Sequence, residues 1–103
     1  MVTFNYNPSE KEFTASFSGR LDTLAVQKLS EIVQVNLPSK TGDSPEKIIF
    51  DLKDVEYISS SFIRICVGVA KQAASGQFSI VHCQPNIKKT FKISGLDEIL
   101  NVS

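Results

Sequence analysis

The sequence predicts an α/β domain in which strands alternate with helices and some of the strands pair in parallel. Three observations carry that prediction. Two early segments alternate apolar and polar residues, two later runs are continuously apolar over strand length, and helical apolar spacing separates them. The resulting order is β-β-α-β-α-β-α.

The first segment, VTFNY, has the alternation of a half-buried strand, and a turn at Asn7-Pro8-Ser9-Glu10-Lys11 follows it. EFTASFSG resumes the alternation through Phe13, Ala15 and Phe17, so the chain opens with a hairpin that Gly19 closes. Asp22 is placed to cap a helix whose apolar stripe is Ala25, Leu29, Ile32, Val33 and Leu37, with Pro38 as its stop. An exposed loop is expected over residues 39–45.

KIIFDL suits a central strand covered on both faces, ended by a charged turn at Lys53-Asp54. Val55, Tyr57 and Ile58 then continue into the core ahead of three serines, Ser59, Ser60 and Ser61, which open a second helix. Its polar positions, Arg64, Gly68, Lys71, Gln72 and Ser75, form one narrow face. The remaining positions, from Phe62 to Ala74, are apolar, so this helix is mostly buried and stops at Gly76. QFSIVHC is the fourth strand. A third helix begins near Pro85 with Ile87, Phe91 and Ile93 on or near one face, breaks at Ser94-Gly95, and LDEIL adds a last turn.

The 103 residues fit one domain, and a 42% hydrophobic fraction is enough to fill one core. Eleven basic and eleven acidic residues give no net charge, which argues against direct nucleic-acid binding. Lys88, Lys89 and Lys92 are most simply the solvated face of the third helix. Cys66 and Cys83 lie in apolar patterns and behave as small hydrophobes, pointing to the cytoplasm. One His and two separated Cys leave too few ligands for zinc, and no membrane-spanning run or signal peptide is present. His82 has no Cys or Ser pattern around it, and Asp51 and Asp54 are explained by turn and strand-end roles. No catalytic residue, metal or cofactor is therefore expected.

Three stretches, FSGRLDT, IIFDLKDVEYISSSF and FKISGLDEIL, resemble in order and spacing the sulphate-transporter and anti-sigma-factor-antagonist domain, STAS. The resemblance covers essentially the whole chain as a single domain, residues 1–103, and implies a four-stranded mixed sheet with helices packed on it. It implies an anti-sigma-factor antagonist that binds a kinase-type anti-sigma factor and so releases a sigma factor. Any ATP is bound by that partner. Phosphorylation at the start of the second helix ends the interaction; the acceptor carries over to Ser61, with Ser60 as its neighbour. Partner contacts carry over to Gly19, Arg20, Leu21, Asp22 and Thr23 and, at the second helix, to Ser59, Phe62 and Arg64.

Two positions depart from the family pattern of Asp, Ser, Ser or Thr, Gly: Ser59 stands for the Asp and Phe62 for the Gly. The alternative is a STAS interaction subunit that is not phosphorylated, in a transporter ATPase complex or a signalling scaffold. Each site also has a plain structural reading. A serine run caps a helix, Asp22 is a cap, and Phe62 is either core or an apolar anchor beside Ser61. The oligomeric state is left open.

Overall fold

The computed structural model describes residues 2–36, 47–73 and 77–103. The expected stops at Pro38 and Gly76, the loop at 39–45, and Leu37, Ala74 and Ser75 lie outside the described residues. The observed order is β1 (Val2–Asn7), β2 (Glu12–Leu21), α1 (Thr23–Asn36), β3 (Lys47–Ile58), α2 (Ser60–Gln72), β4 (Phe78–Val81) and α3 (Pro85–Ile93). The four strands form one sheet in the order β1-β2-β3-β4. β1 is antiparallel to β2, and β2–β3 and β3–β4 are parallel, so the sheet is mixed.

One face of this sheet makes the core. Phe13, Ala15 and Phe17 of β2 and Ile48, Phe50 and Leu52 of β3 are buried in a single cluster with residues of all three helices. Four phenylalanines knit its centre: Phe17 and Phe50 (4.9 Å), Phe17 and Phe62 (5.1 Å), and Phe50 and Phe78 (5.1 Å) meet edge-on. Thr14, Ser16, Ile49, Asp51 and Ser79 alternate with these, are half-buried, and do not belong to the cluster. β3 is thus internal to the sheet, but its residues alternate instead of being buried on both faces.

Several boundaries differ from the sequence expectation, for one reason. β3 does not stop at Lys53-Asp54, nor does β2 stop at Gly19. Instead the β2–β3 register slips twice, pairing Ser16 with Asp51 but Ser18 with Asp54, and Gly19 with Val55 but Arg20 with Tyr57. Each slip places one extra residue in β3, a β-bulge. Inward positions therefore step by three, from Leu52 to Val55 to Ile58, and Tyr57 is turned outward with 42% exposure. Asp51 Oδ1 accepts the Lys53 N–H at 3.0 Å beside the first bulge. Gly19, at φ +86°, sits at the second.

In α1 the buried residues are Val26, Leu29 and Val33. Ile32 is 45% exposed because it lies roughly 100° around the helix from Val33. In α2, Phe62, Cys66 and Val69 are fully buried, while Ile63, Ile65, Val67 and Ala70, with Ala73 just past its end, are half-buried against the core. β4 ends at Val81. His82 lies beyond it at φ 59°, with Nδ1 3.2 Å from Asp51 Oδ2. α3 starts at Pro85 as expected, but Ile93 is 76% exposed. The last residues form a turn over 97–101, and Val102 bridges to Ile80 in parallel along the outer edge of β4. No helix among the described residues is long and apolar enough to cross a membrane.

Candidate functional site at the start of the second helix

Parallel strands that feed helices bring the starts of those helices to one edge of the sheet, beyond the strands' carboxyl ends. Here Leu21 and Ile58, the last residues of β2 and β3, are in register, and Ser59 N–H donates to the Leu21 carbonyl at 2.9 Å. α1 and α2 begin from this junction, pack against each other, and present their N-terminal ends side by side.

Each start is capped. Asp22 Oδ1 accepts the Ala25 N–H at 2.9 Å, as expected from sequence. Ser59 Oγ accepts the Phe62 N–H at 3.3 Å, and Ser59 is buried. Of the three serines, therefore, Ser59 is the cap, Ser60 is exposed and Ser61 is half-buried. The two starts differ in charge: the Asp22 carboxylate faces the positive end of the α1 dipole, whereas α2 has a neutral serine as its cap and no acidic residue in its first turn.

Between the two helices lies an open groove of about 550 Å³. Its walls include Thr23, Gln27, Ser30 and Gln34 from α1, and Ser61 and Arg64 from α2. Gly68 lies along the same side of α2, and a Cβ there would meet nothing within 4 Å. The groove thus gathers Ser61, Arg64 and Thr23 from the residues singled out by sequence. The α1 wall is an addition to them, although Thr23, Gln27, Ser30 and Gln34 recur at helical spacing as a polar stripe.

The other expected contact residues divide into two groups. Leu21 and Phe62 are fully buried, so their side chains support the site from beneath. Phe62 is core and not an anchor offered to a partner. Arg20 and Asp22 are exposed. The Arg20 guanidinium lies 4.6 Å from the centroid of the Tyr57 ring, a pairing that the outward turn at the bulge makes possible.

Elsewhere, Gln84 Nε2 and Asn86 Nδ2 fasten the start of α3 to β3 by donating to the carbonyls of Lys53 and Glu56, at 3.3 and 3.1 Å. Burial pushes the Cys66 thiol well up from its ordinary range. Burial is also the main cause for Cys83, pushed up to about 11, with Lys88 opposing and Asp51 adding to the shift. Both thiols stay protonated near neutral pH, the state in which cysteine packs as a small apolar group. Lys88, Lys89 and Lys92 lie on α3, where Lys88, Lys89 and Lys92 are all exposed.

Comparison with known proteins follows the same lines. Residues 9–103 match the STAS domain family. The chain is 30% identical over 76 residues to a Bordetella bronchiseptica protein provisionally named anti-sigma factor antagonist BtrV; the match spans 72% of this chain and 66% of that protein, just under two thirds of its length. It is 23% identical over 95 residues to a STAS-domain containing protein of Pseudomonas aeruginosa, over 90% of this chain and 89% of that one. Among solved structures, an anti-sigma factor antagonist from Mycobacterium paratuberculosis superposes with a TM-score of 0.78 at 20% identity, covering 99% of this chain and 85% of that one. The anti-sigma factor antagonist SpoIIAA in its unphosphorylated form gives 0.77 at 17% identity, over 100% of this chain and 88% of that one. At these identities the structural likeness establishes a shared fold.

Proposed function

The chain belongs to the STAS domain family, and on that premise we propose that it acts in the cytoplasm as an anti-sigma factor antagonist, binding a kinase-type anti-sigma factor and releasing a sigma factor. The contact surface is the exposed part of the loop from Gly19 to Thr23 together with Ser60, Ser61 and Arg64 at the start of α2. Phosphorylation of Ser61 by the partner ends the interaction.

One observation carries this reading: Ser61 lies in the open groove at the capped start of α2, with Arg64 one turn on and no acidic residue in the first turn. A phosphate adds about 1.5 to 2 negative charges. Free N–H groups and the helix dipole tolerate that charge at a helix start, so the modified domain stays folded. A partner fitted to the neutral hydroxyl loses affinity. Ser61 is favoured over Ser60 because Ser61 lines the groove.

The fixed-subunit reading draws on Ser59, a neutral cap where the family has an Asp. The two readings part on one experiment. Wild-type and Ser61→Asp proteins are used as bait in cells of the source organism, with circular dichroism as a folding control. Recovery of an anti-sigma factor by wild type, reduced about tenfold or more by the substitution, is the expected result. Equal recovery of a partner by both proteins would instead establish the fixed subunit.

A further inference from the structure

The face of α1 turned away from the core is amphipathic in an unusual order. Leu24, Lys28, Glu31 and Val35 are all exposed, Leu24 at 72% and Val35 at 76%. At about 100° per residue these four fall within roughly 60° of one another around the helix, opposite Val26, Leu29 and Val33. Ile32, 45% exposed, flanks them. Leu24 stands near one end of the stripe, and Val35, with Ile32 beside it, near the other.

The order along the stripe says what fits it. Its steps are four, three and four residues, which read the same in either direction. The ends are apolar, and the two inner positions carry opposite charges, Lys28 and Glu31. A two-fold axis through the middle of the stripe brings α1 of a second copy alongside in antiparallel sense. Leu24 then meets Val35 of the other copy, Lys28 meets Glu31, and both contacts occur twice. Gln27 and Ile32 bear the same relation to each other. A stripe with two like charges, or with steps that do not reverse, would lack this self-complementarity.

We propose that the outer face of α1 pairs with the same face of a second copy of this chain. Leu24 and Val35 lie about 16 Å apart along the helix. One helix face of that length buries less than the roughly 1,200 Å² typical of stable complexes, so the pairing is weak and depends on concentration. It leaves the Ser61 side of the groove open, since of the residues named in the contact only Gln27, at its edge, also lines the groove. The inference does not depend on the proposed function.

Sedimentation equilibrium up to about 1 mM protein tests it. Wild type is expected to show a reversible monomer–dimer equilibrium. Lys28→Glu and Glu31→Lys, each alone, place like charges opposite each other and weaken the dimer about tenfold or more. In an equimolar mixture of the two variants, one chain carries acidic groups at both inner positions and the other carries basic groups at both. Each charge contact between unlike chains is then again a carboxylate against an ammonium, and dimer is recovered. That recovery separates contact between chains from any loss of helix stability within one chain. Wild type that remains monomeric throughout the range, as it would if the stripe served another protein, overturns the proposal. So does a dimer indifferent to the single reversals, or a mixture that stays monomeric although both variants are folded.

Discussion

Phe62 is where a single side chain is asked to do most. It is fully buried, meets Phe17 edge-on at 5.1 Å, and lies 6.3 Å from Phe50. It is also the third residue of α2, one position past Ser61. The family pattern places a glycine here, so in this chain the start of the second helix is held down by an aromatic plug. Truncation leaves a cavity and removes two ring contacts. Phe62→Ala is expected to cost about 3–5 kcal/mol in urea unfolding, far more than a residue serving as an exposed anchor would cost. An unfolding midpoint close to that of wild type would show that the ring is not core. Residue type and neighbours left core and anchor both open, because a helix's first turn can face either way. The structure decides it, since Phe62 is fully buried against the rings of Phe17 and Phe50. The cap at Ser59, by contrast, was within reach of the sequence, though not which of the three serines supplied it.

Among the elements, β3 shows what periodicity can and cannot convey. Alternation and apolar runs identify every strand and helix and their order. Gly19 and Lys53-Asp54 read as ends because glycine and adjacent charges usually mark turns. They lie at bulges in which β3 carries the extra residue; its trace there is the spacing of three from Leu52 to Val55 to Ile58, which only the pairing with β2 identifies as a bulge. Gly19 has φ +86°, and a Cβ added there would meet nothing within 4 Å. Any cost of a side chain is therefore one of backbone conformation. Gly68 lies inside α2, and its Cβ position is equally open. The two glycines should respond with opposite signs: Gly19→Ala destabilises by about 1–2 kcal/mol, whereas Gly68→Ala stabilises by roughly 0.5–1 kcal/mol. Urea unfolding of both variants checks this. Stabilisation at position 19 would mean that the bulge relaxes without the left-handed residue, and the register of the loop before α1 would then have to be reconsidered.

At the scale of the molecule, the sheet is finished by residues whose role no local pattern announced. After α3, Leu100 N–H donates to the Leu96 carbonyl, closing a turn, and the chain returns beside β4. Ile80 N–H donates to the Asn101 carbonyl, Ser103 N–H donates to the Ile80 carbonyl, and Asn101 Nδ2 donates to the Phe78 carbonyl at 2.8 Å. These bonds satisfy the outer edge of β4, which would otherwise expose unpaired groups. Leu100 is fully buried in the same cluster as the sheet phenylalanines. The sequence suggests a last helical turn in this segment; its docking along β4 is a long-range pairing that short-range signals do not carry. If the tail belongs to the core, truncating Leu100 must weaken the whole domain and not only its last turn. Leu100→Ala is expected to lower stability by about 2–5 kcal/mol while leaving one cooperative transition. With no tryptophan in the chain, tyrosine fluorescence follows Tyr6 in β1 and Tyr57 in β3, both remote in sequence from position 100, and far-ultraviolet circular dichroism follows the helices. Coincident curves shifted together to lower urea place the tail inside the folding unit. An unchanged tyrosine transition would mean that the sheet folds without it, and the edge of β4 would then be held by hydrogen bonds alone.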